Sequence, residues 1–125
     1  MAKLFLSIAS LSGFAAVVLG AFGAHGLKGH LEERLYAAFQ TGVEYQFLHT
    51  LTLLAVALLL MRSPGIAALK VAGWAFCAGI LLFSGSIYGL VIGAPGWVGP
   101  ITPVGGLSFM VGWLALFWSV REIKI

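Results

Sequence analysis

Residues 43–61 read VEYQFLHTLTLLAVALLLM, and this stretch decides the fold. At a rise of about 1.5 Å per residue, a helix over these residues is about 28 Å long, close to the hydrocarbon thickness of a bilayer. The stretch therefore predicts a membrane-spanning helix. Glu44, Gln46 and His49 lie in its first two turns. Because a polar side chain in hydrocarbon costs free energy without a partner or water, other helices are expected to supply partners.

The composition places the whole chain in a membrane. The chain has 125 residues, of which 61% are hydrophobic and 9% are charged, whereas about 25% of the residues in a typical soluble domain are charged. A soluble fold of this size could not bury so much apolar surface, so lipid must act as solvent. The seven Lys and Arg residues are spread along the chain. Nucleic acid is therefore not an expected partner, and the single cysteine, Cys77, excludes an internal disulfide.

Three further apolar stretches are long enough to cross a bilayer. They are residues 4–24, residues 66–93 and residues 102–120. In the last of these, Thr102 is expected to be the N-cap and Pro103 the first helical residue. We therefore predict an all-α fold, an integral membrane bundle of four transmembrane helices. The bundle forms a single domain over residues 1–125.

The segment between the first two spans, residues 30–42, predicts a short amphipathic helix. Leu31, Leu35 and Phe39 recur at four-residue spacing and give the segment an apolar stripe. The sequence leaves open whether this segment lies on the membrane surface or extends the second span. Gly42 is expected to mark a bend between the segment and the span.

The positions of the cations predict the orientation of the bundle. Four spans place both termini and the connection after the second span on one side of the membrane. That side carries five of the seven cations: Lys3, Arg62, Lys70, Arg121 and Lys124. By the positive-inside rule, both termini are expected in the cytoplasm.

Small residues at four-residue spacing predict close packing between helices. One such stripe is Ala16, Gly20 and Ala24 in the first span, and another is Gly85, Gly89 and Gly93 in the third. Small residues let two helix backbones approach closely in a membrane. Because these stripes exceed what one small bundle requires, the expected partners are membrane lipid and further copies of the same chain.

Polar residues collect in the half of the predicted bundle that faces away from the cytoplasm. The candidate ligand-binding residues are His25, Glu44, Tyr45, Gln46, His49, Ser84, Ser86, Tyr88 and Thr102. Their shared depth motivates the hypothesis of a polar pocket open toward the outer face. Glu44 and His49 are five residues apart and point about 140° away from each other on a helix. Glu44 is instead expected to meet the end of the first span or Gln40.

Three interpretations of this polar set remain open. In the first, the polar groups satisfy one another and determine how the four helices pack. In the second, Glu44 or His49 binds a proton or cation in a transport path, which four short spans could form only as an oligomer. In the third, His25, His49 and Glu44 ligate a metal. No HxxxH or HExxH spacing supports the third interpretation, and no nucleophile has a base at a recognisable spacing, so no metal, cofactor or enzymatic activity is expected.

Four segments resemble a known family. They are GAFGAHGLK at residues 20–28, YQFLHTLTLL at 45–54, FSGSIYGL at 83–90 and ITPVGGLSFMVGW at 101–113. In this order and at these separations, they resemble the YgdD-type family of small bacterial inner-membrane proteins, known as domain of unknown function 423. The resemblance implies a four-span protein of the bacterial inner membrane and implies no activity, substrate or cofactor.

The predicted function is that of an integral inner-membrane protein without an assigned biochemical role. We expect it to bind a small ligand, an ion or a lipid in the pocket of the outer half. The alternatives are a structural or partner-binding membrane protein and a small oligomeric transporter or channel.

Overall fold

The computed structural model describes residues 1–124, which form helices and turns without a strand. Helix α1 comprises Ala2–Phe22 and continues into a π-helical turn at Gly23–Leu27; α2 comprises Glu33–Arg62. Helix α3 comprises Ala67–Gly79, followed by a second π-helical turn at Ile80–Ser84 and by α4 at Gly85–Val91. A 3-10 turn at Gly96–Val98 precedes α5 at Ile101–Ser119. Consecutive segments join into four helical spans that are long and apolar enough to cross a membrane, which confirms the predicted four-span fold. In chain order, the spans are Ala2–Leu27, Glu33–Arg62, Ala67–Val91 and Gly96–Ser119.

The segment before the second span is an extension of that span. Helix α2 starts at Glu33 and continues without interruption to Arg62, so the question left open by the sequence is settled in favour of the extension. The predicted bend at Gly42 is wrong, because Gly42 is buried inside this helix. A Cβ atom at Gly42 would lie 3.2 Å from the Tyr88 ring and 3.4 Å from Ile87. The glycine therefore makes room for α4 to pack against α2.

Helix α2 and the third span occupy the centre of the bundle. Helix α1 packs along α2, while α2 also contacts α3, the turn at Ile80–Ser84 and α4. On the other side, α5 packs against α3 and the same turn. The spatial order of the four spans therefore follows their order in the chain, and α1 and α5 form the two flanks.

We call the half of the bundle that holds the start of α1 and the ends of α2 and α5 the terminal half, and the opposite half the loop half. The core of the terminal half is apolar and tightly packed. The largest side chains in this core, each with at most 1% of its surface exposed, are Phe5, Leu53, Leu60, Leu69 and Phe76. These side chains come from the first three spans, so the terminal half is held together by packing of apolar side chains.

Phenylalanine rings seated on glycines join the helices at several points. Phe76 of α3 contacts Gly112 of α5, while Phe109 of α5 contacts Gly79 of α3. In each case a Cβ atom on the glycine would lie less than 3 Å from the ring. Both helices thus carry the pattern Phe-x-x-Gly, and the phenylalanine ring of each helix packs on the glycine of the other. We call these two contacts the reciprocal Phe–Gly pairs.

The predicted small-residue stripes have different outcomes. In α1, Ala16 is buried and a Cβ atom at Gly20 would lie 3.7 Å from Val43 of α2, so this stripe faces α2. In the third span, a Cβ atom at Gly85 would meet only Leu81, one turn earlier, at 4.0 Å. Gly93 has a φ of 98° and follows α4 in a turn. A Cβ atom at Gly89 would lie 3.7 Å from Ala94 and from Val98 in the connection that follows α4. In the described part of the chain, the third-span stripe therefore makes no close contact with α1, α2 or α5.

Gly105 of α5 directly faces the backbone of the third span. A Cβ atom at Gly105 would collide with the backbone nitrogen of Phe83. Phe83 belongs to the π-helical turn of the third span. Because a backbone atom cannot move aside as a side chain can, only glycine fits at this position.

The outer surface of the bundle is apolar. Within the spans, the large apolar side chains with more than 70% of their surface exposed are Leu11, Phe14, Leu81 and Phe117, and Ile92 just after α4 is exposed as well. Such a surface is stable only in contact with lipid tails. The protein is therefore a multi-pass membrane protein.

Candidate functional site

The structure divides the candidate residues into hydrogen-bonded residues between helices, residues of an aromatic groove, and residues at the end of the first span. The first group centres on Gln46, which has 5% of its surface exposed. Its Nε2 donates to the Ser12 carbonyl oxygen at 2.9 Å, and its Oε1 accepts from the Tyr88 hydroxyl at 2.6 Å. The Ser12 hydroxyl also bonds the Thr50 hydroxyl at 2.7 Å. One amide therefore connects α1, α2 and α4.

Ser84, Ser86 and Thr102 form two further links. The Ser84 hydroxyl donates to the carbonyl oxygen of Gly42 at 2.6 Å and joins the third span to α2. The Ser86 and Thr102 hydroxyls bond each other at 2.5 Å and join α4 to α5. The predicted N-cap at Thr102 is wrong, because α5 starts at Ile101 and the Thr102 side chain serves Ser86 instead.

These bonds give the buried polar atoms of this group partners within the protein. Among residues 1–124, every buried side-chain nitrogen or oxygen atom has a hydrogen-bond partner. Polar atoms that satisfy one another between helices stabilise helix packing in a membrane. Gln46, Ser84, Ser86, Tyr88 and Thr102 therefore match the first of the three interpretations of the polar set.

His49 is held in one protonation state by two hydrogen bonds. The indole Nε1 of Trp113 donates to His49 Nε2 at 3.1 Å, and His49 Nδ1 lies 2.8 Å from the Tyr45 carbonyl oxygen. An indole N–H can only donate, so His49 Nε2 must accept. The imidazole proton is then on Nδ1, where it is donated to the Tyr45 carbonyl oxygen. His49 is therefore neutral, with both ring nitrogens engaged.

The His49 ring forms part of the wall of a groove between α2 and α5. It stacks on Phe109 with ring centroids 3.7 Å apart and an angle of 11° between the rings. The groove has a volume of about 550 Å³, within the range of small-molecule sites in proteins. Its lining comprises Tyr45, Leu48, His49, Thr52, Phe83, Gly106, Phe109, Met110 and Trp113. We call it the α2–α5 groove.

The α2–α5 groove is open toward the lipid. Tyr45, Leu48, Met110 and Trp113 have between 39% and 61% of their surface exposed on the apolar outside of the bundle. Its position between two spans means that a ligand would enter from the membrane and not from water. The groove is therefore aromatic and open sideways, whereas the sequence led us to expect a polar pocket open to the outer face.

Glu44 lies in a second pocket, at the end of the first span. This pocket has a volume of about 340 Å³ and is lined by Gly20, Gly23, Ala24, Tyr36, Phe39, Gln40, Val43 and Glu44. We call it the loop-half pocket. Glu44 thus shares a pocket with the end of the first span and with Gln40, as the sequence predicted.

His25 stands apart from both of these sites. It is exposed in the π-helical turn Gly23–Leu27 and lines neither the α2–α5 groove nor the loop-half pocket. In the described part of the chain, no three His, Cys, Asp or Glu side chains are grouped so that they could hold a metal ion.

Sequence reasoning missed four contributors to these sites. Ser12 and Thr50 complete the Gln46 links, and Phe109 and Trp113 position His49. Ser12 lies one helical turn before the small-residue stripe that starts at Ala16, and neither Ser12 nor Thr50 carried a separate signal. The aromatic residues of the fourth span look like ordinary lipid-facing residues until the helices are assembled.

Comparison with known sequences identifies the family. A family profile described as "Protein of unknown function (DUF423)" matches residues 19–106. The chain belongs to the DUF423 family. The family membership that the four sequence segments indicated is therefore confirmed.

Several relatives of this DUF423 protein share nearly its whole length. A UPF0382 membrane protein of Haemophilus influenzae is 46% identical over 99% of this chain and 98% of its own length. The UPF0382 membrane protein YwdK of Bacillus subtilis is 41% identical over 91% of this chain and 93% of its own. A UPF0382 membrane protein of Staphylococcus aureus is 40% identical over 91% of this chain and 92% of its own length. No solved structure matches significantly.

Proposed function

We propose that this DUF423 protein binds an apolar molecule dissolved in the membrane, with a lipid acyl chain as the chemical class, in the α2–α5 groove. The observation that carries the proposal is a lipid-facing groove of about 550 Å³ whose wall includes four aromatic rings and an imidazole. Aromatic faces give a large, shaped contact area for an apolar ligand. The proposed role is therefore binding within the membrane.

The chemistry of His49 supports binding rather than catalysis. A general base needs a ring nitrogen that can accept a proton from the substrate. Both nitrogens of His49 are already engaged, by the Tyr45 carbonyl oxygen and by the Trp113 indole. We therefore propose a non-enzymatic function, in which His49 gives the groove its shape by stacking on Phe109.

Photolabelling with a diazirine derivative of palmitic acid tests the binding proposal. The wild-type protein in liposomes should be labelled saturably, with adducts confined to peptides that contain residues 45–52 and 106–113. Gly106→Leu places a side chain in the groove, where a Cβ atom would have ordinary contact with Phe83 at 3.9 Å. We expect this variant to lose about tenfold in apparent affinity, equivalent to about 1.4 kcal/mol.

The matched control is Gly65→Leu, which adds the same side chain at a position that does not line the groove and where a Cβ atom would meet nothing within 4 Å. It should be labelled like the wild type. Labelling that does not saturate, or that spreads evenly over the lipid-facing surface, would refute the proposed binding site.

We also propose that the protein lies in the bacterial inner membrane with both termini in the cytoplasm. Lys3 and Lys70 line one pocket at the end of the terminal half. The Arg121 guanidinium lies 3.7 Å from the centroid of the Trp118 ring, a combination typical of a membrane interface. In cells, a Trp97→Cys variant in a Cys77→Ala background should react with a membrane-impermeant maleimide without lysis. If the introduced cysteine of this variant reacted only after lysis, the orientation would be the opposite of the one proposed.

A homo-oligomer is a further proposal, supported by Gly85 of the third-span stripe. A Cβ atom at Gly85 would meet only Leu81 of its own span among the described residues, and small residues favour helix association in membranes. The mass of the protein in native lipid particles should exceed that of one chain, and Gly85→Leu should reduce it. A monomer in such particles would exclude the oligomer.

A further inference from the structure

Glu44 lies within the apolar part of the membrane, close to its boundary. Helices α1 and α2 run antiparallel, and Gly20 of α1 faces Val43 of α2. Glu44 is therefore level with Gly20, which follows Lys3 by about 25 Å along the helix. Since the hydrocarbon layer is about 30 Å thick, the backbone of Glu44 is about 5 Å inside its edge when Lys3 marks the other edge.

The carboxylate of Glu44 has no cationic partner in the described part of the chain. The ion pair found there joins Arg34 to Glu32, at 3.7 Å. A carboxylate at this depth costs free energy unless a cation or water compensates it. The loop half thus presents a negative charge at the position where the headgroups of lipids meet their acyl chains.

The residues around Glu44 suit an ammonium group. Gln40 lies one helical turn before Glu44 and Tyr36 two turns before, and all three line the loop-half pocket. Gln40 Nε2 lies 3.5 Å from the Tyr36 hydroxyl oxygen, which leaves Gln40 Oε1 as an acceptor. The pocket thus combines a carboxylate, an amide oxygen and the aromatic ring of Tyr36, while the buried Phe39 contributes to its apolar wall. These groups bind ammonium through charge, hydrogen bonds and cation–π contact.

We propose that the loop-half pocket binds the primary ammonium of a phospholipid headgroup, as in phosphatidylethanolamine. A primary ammonium has three N–H donors for the carboxylate and amide oxygens, whereas a quaternary ammonium has none. The depth of Glu44 and the apolar wall of Gly20, Gly23, Ala24 and Val43 favour a lipid over a soluble amine. This site is separate from the α2–α5 groove, so each proposal can fail without the other.

Native mass spectrometry of the full chain in detergent tests the proposal. Phosphatidylethanolamine and phosphatidylcholine with identical acyl chains are titrated separately against wild-type protein and two variants. The wild type should retain phosphatidylethanolamine about tenfold more tightly. Glu44→Gln should abolish this preference, because the amide carries no charge. Glu33→Gln is the matched control, since Glu33 begins the same helix outside the pocket, and it should behave like the wild type.

Three results would overturn the assignment. The first is equal retention of the two lipids by the wild type, and the second is an unchanged preference in Glu44→Gln. The third comes from adding free ethanolamine: if millimolar ethanolamine displaces the lipid, the pocket recognises a soluble amine. Glu44 is exposed in the protein alone, so Glu44→Gln should fold normally. Its unfolding temperature should match that of Glu33→Gln.

Discussion

The terminal half and the loop half of the bundle are held together in different ways. In the terminal half, apolar side chains such as Phe5, Leu53 and Leu69 are fully buried. In the loop half, hydrogen bonds of Gln46, Ser84 and Ser86 connect the helices. Lipid tails are as apolar as leucine, so burial of leucine between helices gains little hydrophobic free energy in a membrane. The terminal half must therefore depend on closely fitting shapes, and the loop half on the directions of its hydrogen bonds.

The two halves also differ in backbone regularity. Both π-helical turns, Gly23–Leu27 and Ile80–Ser84, lie in the loop half, as do the two glycines with positive φ, Gly29 and Gly93. Each of the two candidate sites includes a residue of one of these turns, since Gly23 lines the loop-half pocket and Phe83 lines the α2–α5 groove. Irregular backbone often accompanies functional sites in helical proteins. The loop half is therefore where we place both binding proposals.

The largest expected effect is that of Gly105→Ala in the loop half. The added methyl group would collide with the backbone of Phe83, so α5 must move away from the third span. We expect the free energy of unfolding to fall by about 3 kcal/mol, at the upper end for overpacked cores. Titration with SDS in mixed micelles, followed by circular dichroism, measures the change.

Gly106→Ala is the control for this variant, because its Cβ atom would have ordinary contact with Phe83 at 3.9 Å. It should leave stability unchanged or raise it by about 0.5 kcal/mol through helix propensity. If both variants unfold at the same SDS fraction, the backbone contact at Gly105 does not stabilise the fold.

In the terminal half, Leu53→Ala should reduce the free energy of unfolding by about 2 kcal/mol. Leu53 is fully buried, and its truncation leaves a cavity. The loss is smaller than in a soluble core, because the transfer from lipid-like surroundings contributes little. Leu51→Ala, at a side chain with 50% of its surface exposed to lipid, should change stability by less than about 0.5 kcal/mol. Equal losses in the two variants would contradict a packed terminal half.

Gln46→Leu tests the hydrogen bonds of the loop half. It keeps the approximate shape of the side chain but removes the partners of the Ser12 carbonyl oxygen and the Tyr88 hydroxyl. We expect a loss of about 1 kcal/mol, since hydrogen bonds between membrane helices are individually modest. The same exchange at the exposed Gln40 should have almost no effect on the SDS titration. An unchanged free energy of unfolding in Gln46→Leu would mean that packing alone stabilises the loop half.

The smallest expected effect is that of Trp113→Phe at the α2–α5 groove. The variant removes the donor to His49 Nε2 and should lower the free energy of unfolding by about 0.5 kcal/mol. ¹⁵N spectra of selectively labelled protein report the imidazole tautomer. The wild type should show the proton on Nδ1 alone, and the variant should also show the tautomer protonated at Nε2. A wild-type spectrum with protonated Nε2 would refute the assigned geometry of His49.

The four spans could be predicted from the sequence because the lengths of apolar runs are set by bilayer thickness. The roles of individual glycines could not. Gly42 looked like a bend and is a packing position inside α2, whereas Gly85 looked like a packing position and contacts no other helix closely. Gly105, which faces the backbone of the third span, was not singled out. A glycine's role depends on the partner helix that faces it, and spacing along one helix does not reveal that partner.

The candidate site was predicted only in part, for a similar reason. The depth of Glu44 and His49 follows from their place in the second span, and the structure places both beside concave surfaces. Depth does not determine which polar groups bond one another, so the links of Gln46 to Ser12 and Tyr88 could not be derived. The aromatic character of the groove depends on side chains from three spans, and it appears only when these are assembled.

The reciprocal Phe–Gly pairs restrict how the bundle can move. Because Phe76 is seated on Gly112 and Phe109 on Gly79, sliding α3 along α5 in either direction would drive one ring into a neighbouring side chain. The two helices must therefore shift as one rigid body. Any widening of the α2–α5 groove by a movement of α5 is therefore expected to carry α3 along.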